Sequence, residues 1–282
     1  MTEFYKKYMF DLPIIPKVVA DLINISSTDN ISSKEIENII KIDPYLTSRI
    51  LKISNSSYYS REREISTIKD SVTLLGLKKI QTIALLITGS EIMDEKIDDF
   101  FHFYWDSSLK TAFLSKKIAI ETGKEVIQED IFTCGLLHNI GQAILHKFSN
   151  EKYNKVINNY SKFNFNLNSI EIEEFGVTSN DIAGKILESW GFPKILTDTV
   201  QFNLDKNSHS QFQNIIDIIS FSKTLYLNNG FNISNEKLKN LQLTYQSRLN
   251  LRNSDIEYYT DYLQNKIENI DFYNSCLDTI IK

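Results

Sequence analysis

Glycine and proline are scarce, with nine and four in 282 residues. Both serve turns, so their shortage excludes a chain of many short strands and points to long helices. Cysteine occurs twice, as Cys134 and Cys276, far apart in sequence. That excludes a disulfide framework and a cysteine-rich zinc site; two reduced structural thiols fit a cytoplasmic protein. Positive charge is not in excess. A net charge of −5 and a pI near 5.5 speak against nucleic acid as a partner, and Lys6–Lys7, Lys78–Lys79 and Lys116–Lys117 are scattered rather than gathered in a stripe. No apolar run reaches the roughly 20 residues of a membrane span. The opening "MTEFYKKYMFDLP" lacks the apolar centre of a signal peptide. There is no Gly-rich phosphate cradle and no G-x-S-x-G elbow.

What is present is 42% hydrophobic and 24% charged residues, enough to bury a sizeable core. Helix punctuation is dense. Pro16 precedes Val18, Val19, Leu22 and Ile23 on one helical face. Ser32 and Glu35 form a capping box before Ile36, Ile39 and Ile40. Asp43–Pro44 reads as an N-cap with proline at the first helical position, and Thr67–Asp70 as another box. Gly76 suits a helix stop. Phe101, Trp105 and Leu109 recur at helical spacing, and residues 128–148 read as one helix, apolar on nearly all sides. Thr178–Asp181 opens a helix that Gly191 and Pro193 close. From Ser254, capped by Glu257, a last helix carries Tyr259, Leu263, Ile267 and Ile270 on one side. It is a candidate partner-binding face. No alternating strand pattern and no repeat is found. The expectation is an all-α protein of two packed helical lobes, divided near the acidic stretch at 90–98: a lobe of short helices at 1–95, and residues 96–282 with a C-terminal helical extension.

Five segments in order resemble the HDOD family, the HD-related output domains of bacterial signalling proteins. They are "LPIIP" at 12–16, "IDPYLTSRILKISNSSYY" at 42–59, "VTLLGLKKIQTIAL" at 72–85, "GLLHNIG" at 135–141 and "SWGFP" at 189–193. The motif positions are Leu12, Pro13, Pro16, Asp43, Pro44, Asn55, Ser56, Gly76, Trp105, Gly135, Gly141, Trp190 and Pro193. Most have a plain structural reading as caps, turn formers and glycines at junctions. The resemblance implies an HD-like helical core related to metal-dependent phosphohydrolases, in which His and Asp side chains from several helices hold divalent ions.

The metal ligands of that pattern are mostly replaced here. The upstream His position holds Ser107, in Trp105-Asp106-Ser107-Ser108. The His-Asp doublet is His138–Asn139, and an amide lacks the charge that makes Asp a ligand for a hard cation. A later His position holds Ser179, a His-His pair becomes Asn203–Leu204, and the late Asp falls at Ser220. Only four histidines occur: His102, His138, His146 and His209. A site rebuilt around His138 with His102, Asp106 or His146 is the less favoured reading. The favoured one is a vestigial pocket of Ser107, His138, Asn139, Ser179 and Asn203, with no metal and no cofactor. Cys134 and His138, four apart on a helix, offer a thiolate–base pair; the apolar setting favours an inert thiol.

The expected function is therefore a non-enzymatic regulatory protein of signal transduction. It would act through a signalling protein partner or by sensing a small nucleotide ligand in the vestigial pocket. The alternative is a divergent metal-dependent phosphohydrolase acting on nucleotides or cyclic dinucleotides.

Overall fold

A computed structural model describes residues 15–25, 30–56, 59, 64–92, 99–163, 167–230 and 236–281. Leu12 and Pro13 of the first motif lie outside the described residues. Among the described residues there is no strand, and the protein is all-α.

The first helices are α1 (Lys17–Ile23), α2 (Ser33–Ile40), α3 (Pro44–Ser54), α4 (Ile68–Leu75) and α5 (Leu77–Ile92). Their starts follow the expected caps. Ser32 and Glu35 cap each other: the Glu35 N–H donates to Ser32 Oγ at 3.3 Å, and the Ser32 N–H to Glu35 Oε2 at 2.8 Å. The Leu46 N–H donates to Asp43 Oδ1 at 3.0 Å, and the Asp70 N–H to Thr67 Oγ1 at 3.1 Å. Asp43→Ala is expected to cost about 0.5–2 kcal/mol, read as a lower urea midpoint at an unchanged m-value. Asn55 braces the loop behind α3. Its amide donates to Ile65 O at 2.7 Å and accepts from the Ile65 N–H at 2.7 Å. Gly76, at φ +79°, is the joint at which the chain bends by 115° from α4 into α5; positive φ favours glycine there. No single helix among the described residues is long and apolar enough to cross a membrane.

The chain continues through α6 (Asp99–Glu121), a 3₁₀ turn (Glu125–Ile127), α7 (Gln128–Leu137), α8 (Ile140–Phe148), α9 (Asn150–Phe163) and α10 (Leu167–Phe175). Then come α11 (Ser179–Ser189), α12 (Lys194–Gln201), α13 (Gln213–Gly230) and α14 (Glu236–Arg248). The single helix expected over 128–148 is two, broken at His138–Asn139. Side chains divert the carbonyls at the break: His138 Nδ1 lies 2.6 Å from Gly135 O, and Asn203 Nδ2 donates to His138 O at 3.3 Å.

The C-terminal expectation also needs correcting. The last segment starts at Arg252, whose backbone N–H donates to Asp255 Oδ2 at 2.8 Å, not at Ser254. It comprises α15 (Asn253–Asp261), a π turn (Tyr262–Lys266), a 3₁₀ turn (Ile267–Asn269) and α16 (Asp271–Ile281). The cause is legible in the spacing. Tyr259, Leu263 and Ile267 are all buried and four apart, so on an ideal helix they drift by roughly 40° per step. The wider π turn keeps them on one face. Nor is this apolar face free for a partner. α16 turns back onto α3 and α5, burying Phe272, Tyr273 and Cys276. One apolar core runs from Ile15 to Cys276, and it includes Phe100, Phe101, Tyr104 and Trp105.

Candidate functional site

The two glycines of "GLLHNIG" bring the helices together around the break. A Cβ on Gly135 would sit 2.6 Å from Ala112 Cα, so glycine is what lets α7 press against α6. A Cβ on Gly141 would sit 1.9 Å from Ser179 O, so glycine also lets α8 meet α11. Between these contacts lie His138 and Asn139, facing α6, α11 and α13.

The expected pocket residues form a connected polar interior. Asn139 Nδ2 donates to Ser107 Oγ at 3.1 Å. On its other side, Asn139 Oδ1 accepts from Lys223 Nζ at 2.8 Å. Asn203 meets the pocket through the His138 carbonyl, and its own carbonyl accepts from Asn180 Nδ2 at 2.7 Å. Ser179 turns the other way, its N–H and Oγ donating to Glu171 Oε2 at 2.7 and 3.0 Å. Tyr153 Oη donates to Glu171 Oε1 at 3.4 Å. Ser220 serves the backbone, accepting from the N–H of Leu204 at 3.0 Å, a non-glycine residue at φ +63°. None of Ser107, His138, Asn139, Glu171, Ser179, Asn203, Ser220 and Lys223 is more than 5% exposed.

Lys223, Glu171 and Tyr153 were not legible as site residues. The signal for Lys223 was present: in "IIDIISFSKTLYL" it is a lone cation, with Asp217 the only other charge in a stretch of apolar and hydroxylated residues, and a helix apolar nearly all round is buried. Glu171 was masked by its neighbours Glu173 and Glu174, which read together as a solvated face.

Charges this deep are costly unless compensated. Burial pushes the Glu171 carboxyl up, while the donors from Ser179 and the charge of Lys223 act against it. Burial pushes the Lys223 ammonium down, and Glu171 opposes that. His138 is held well below the usual histidine range by burial and then by the Lys223 charge, so it is neutral. Because a carbonyl only accepts, the Nδ1 proton points at Gly135 O and the lone pair sits on Nε2. Among the described residues Nε2 has no hydrogen-bond partner, and neither has Asn203 Oδ1.

This donor set does not fit a divalent metal. It offers one imidazole, two amides, hydroxyls and the single carboxyl of Glu171, already engaged by Ser179 and Tyr153, with an ammonium against the Asn139 amide. Among the described residues no three His, Cys, Asp or Glu side chains are grouped to hold a metal ion. The other histidines do not join the pocket. His102 and His209 are exposed, and His146 stacks on Phe100 at 4.1 Å between ring centroids. Asp106 faces away, accepting from Tyr226 and Tyr273 at 2.8 and 2.9 Å. Cys134 is a buried thiol that burial pushes up to about 12, which leaves it inert.

The remaining motif residues shape the surroundings. Trp105 is buried over Gly89, where a Cβ would lie 3.2 Å from the indole. Trp190 ends α11, Gly191 turns at φ +75°, and Pro193 leads into α12.

Residues 12–205 match the HDOD domain. The chain belongs to the HDOD family. A protein of Treponema pallidum (strain Nichols) named only as uncharacterized is 20% identical over 213 residues. That match takes in 75% of this chain and 41% of its relative, so the chain spans well under half of the curated protein it resembles. Two solved structures share the HDOD fold nearly end to end. An HDOD domain protein of Geobacter sulfurreducens has a TM-score of 0.73 at 18% identity, covering 95% of each chain. A protein of Shewanella amazonensis SB2B, whose name proposes a phosphohydrolase, has a TM-score of 0.74 at 18% identity, covering 98% of each. A third, from Marinobacter aquaeolei VT8, whose name proposes a signal-transduction protein, gives 0.79 at 17% identity, covering 100% of this chain and 62% of that one. Likeness at these identities speaks for the fold.

Proposed function

We propose that this HDOD protein is a non-enzymatic regulator of signal transduction that works by binding a partner protein. The observation that carries the reading is the Lys223 ammonium 2.8 Å from Asn139 Oδ1. A hydrolytic HD-type centre needs a divalent cation to lower the pKa of its water and to polarise the phosphoryl oxygens. In this chain the corresponding ground is taken by a fixed positive charge, an amide and hydroxyls. Partner binding is favoured over nucleotide sensing because every pocket side chain is buried, so a nucleotide could enter only after α6, α8, α11 and α13 had separated.

The test is turnover. Purified protein, incubated with Mg²⁺, Mn²⁺ or Fe²⁺ and with p-nitrophenyl phosphate, bis-p-nitrophenyl phosphate or a cyclic dinucleotide, is expected to release product no faster than the metal blank. Metal content per chain is expected to stay at background. Turnover that disappears in His138→Ala would overturn the reading in favour of a divergent phosphohydrolase.

A further inference from the structure

We infer that Lys223 is a built-in cation standing where HD-type relatives hold a metal ion, so that this pocket is filled by the chain itself and closed to divalent ions. The amide of Asn139 is oriented by its two partners: Nδ2 is committed to Ser107 Oγ at 3.1 Å, which turns Oδ1 toward the Lys223 ammonium at 2.8 Å. The ammonium is buried, at 5% residue exposure, and Glu171, at 0%, is the carboxylate whose charge supports it. Thus a hydroxyl of α6 accepts from the amide at the α7–α8 break and orients it, and the amide oxygen accepts from the ammonium of α13. The ammonium thus has one hydrogen-bonded oxygen, held in place from α6, and one carboxyl group on α10 whose charge acts on it.

The consequence is a permanent state. A metal centre can be emptied or loaded, and its surroundings change with metal supply; a lysine on α13 cannot leave. A divalent ion brought against it would meet a like charge in a low-dielectric interior, and it would find no carboxylate at position 139. The inference does not rest on the regulatory reading. A protein that hydrolysed phosphate esters at some other site would end that reading and leave this one intact.

The experiment compares thermal unfolding of wild type, Asn139→Asp and Asn139→Asp/Lys223→Ala, with and without 1 mM (an order-of-magnitude choice, about a hundred times a ~10 μM site) MnCl₂. Mn²⁺ is expected to leave the first two unmoved, because in Asn139→Asp the ammonium neutralises the new carboxylate. In the double variant the carboxylate at position 139 has lost the ammonium that neutralised it, and Mn²⁺ is expected to raise the melting temperature by several degrees. Equal Mn²⁺ shifts in Asn139→Asp and the double variant, or a shift in wild type, would show that Lys223 excludes nothing. Should the double variant fail to fold, Lys223→Ala alone decides. Ethylammonium chloride is expected to raise its melting temperature in a saturable way, beyond sodium chloride at the same ionic strength, and to leave wild type unchanged. Identical responses to the two salts would overturn the inference.

Discussion

Gly141→Ala is expected to destabilise the fold by about 3 kcal/mol, the upper end of what overpacking a core costs. The added methyl would meet the backbone of α11, 1.9 Å from Ser179 O and 2.6 Å from Ser179 C. Backbone cannot rotate aside, so α8 and α11 must part. Alanine's better helix propensity, worth about 1 kcal/mol over glycine, offsets only a fraction. Separation would also pull Ser179 from Glu171, loosening the pairs at 2.7 and 3.0 Å. Gly184→Ala, within α11 itself, is the comparison. Its methyl would meet Gln201 Cβ at 2.8 Å and Oε1 at 2.9 Å; the amide end can rotate aside and only Cβ must give by a few tenths of an ångström, so a smaller loss than at Gly141 is expected. Urea unfolding of the two variants checks the contrast; equal midpoints would mean that the approach of α8 to α11 does not depend on glycine.

The same residues explain why some of the fold could be read from the sequence and some could not. Caps were legible because they are local: Ser32–Glu35, Asp43–Pro44, Thr67–Asp70 and Thr178–Asp181 each satisfy backbone N–H groups within three residues of themselves. The break at His138–Asn139 was not legible. It depends on Asn203, 65 residues away, claiming the His138 carbonyl, and nothing in a continuously apolar stretch announces that. The C-terminal face was read as free because amphipathicity says only that a face will be covered, not by what. Here α6 packs on the π turn and Phe221 of α13 meets Tyr259 edge-on. Of the site, Ser107, His138, Asn139, Ser179 and Asn203 were visible one by one. Lys223 and Glu171 were not, since they become partners of the pocket only when α13 and α10 are folded against it.

Glu171→Gln is expected to gain on wild type by about 3 kcal/mol as pH rises from 4.5 to 7. The sign follows from proton counting. Burial lifts the Glu171 carboxyl from 4.5 to about 7, so between those values the folded chain holds a proton that the unfolded chain has released. Stability from this group is therefore fully present below pH 4.5 and is lost by about pH 7. Glutamine cannot release that proton, so the variant does not share the loss. At pH 4.5 the two should differ little, because glutamine resembles the protonated acid in shape and can still accept from Ser179. His138, held neutral by burial and by Lys223, contributes the opposite slope below its usual range. It does so in both proteins and cancels in the difference. Urea unfolding at pH 4.5, 5.5, 6.5 and 7.5 measures the gap directly. Parallel stability curves would mean that Glu171 ionises as an ordinary carboxylate, and that the interior around Lys223 is wetter than its burial implies.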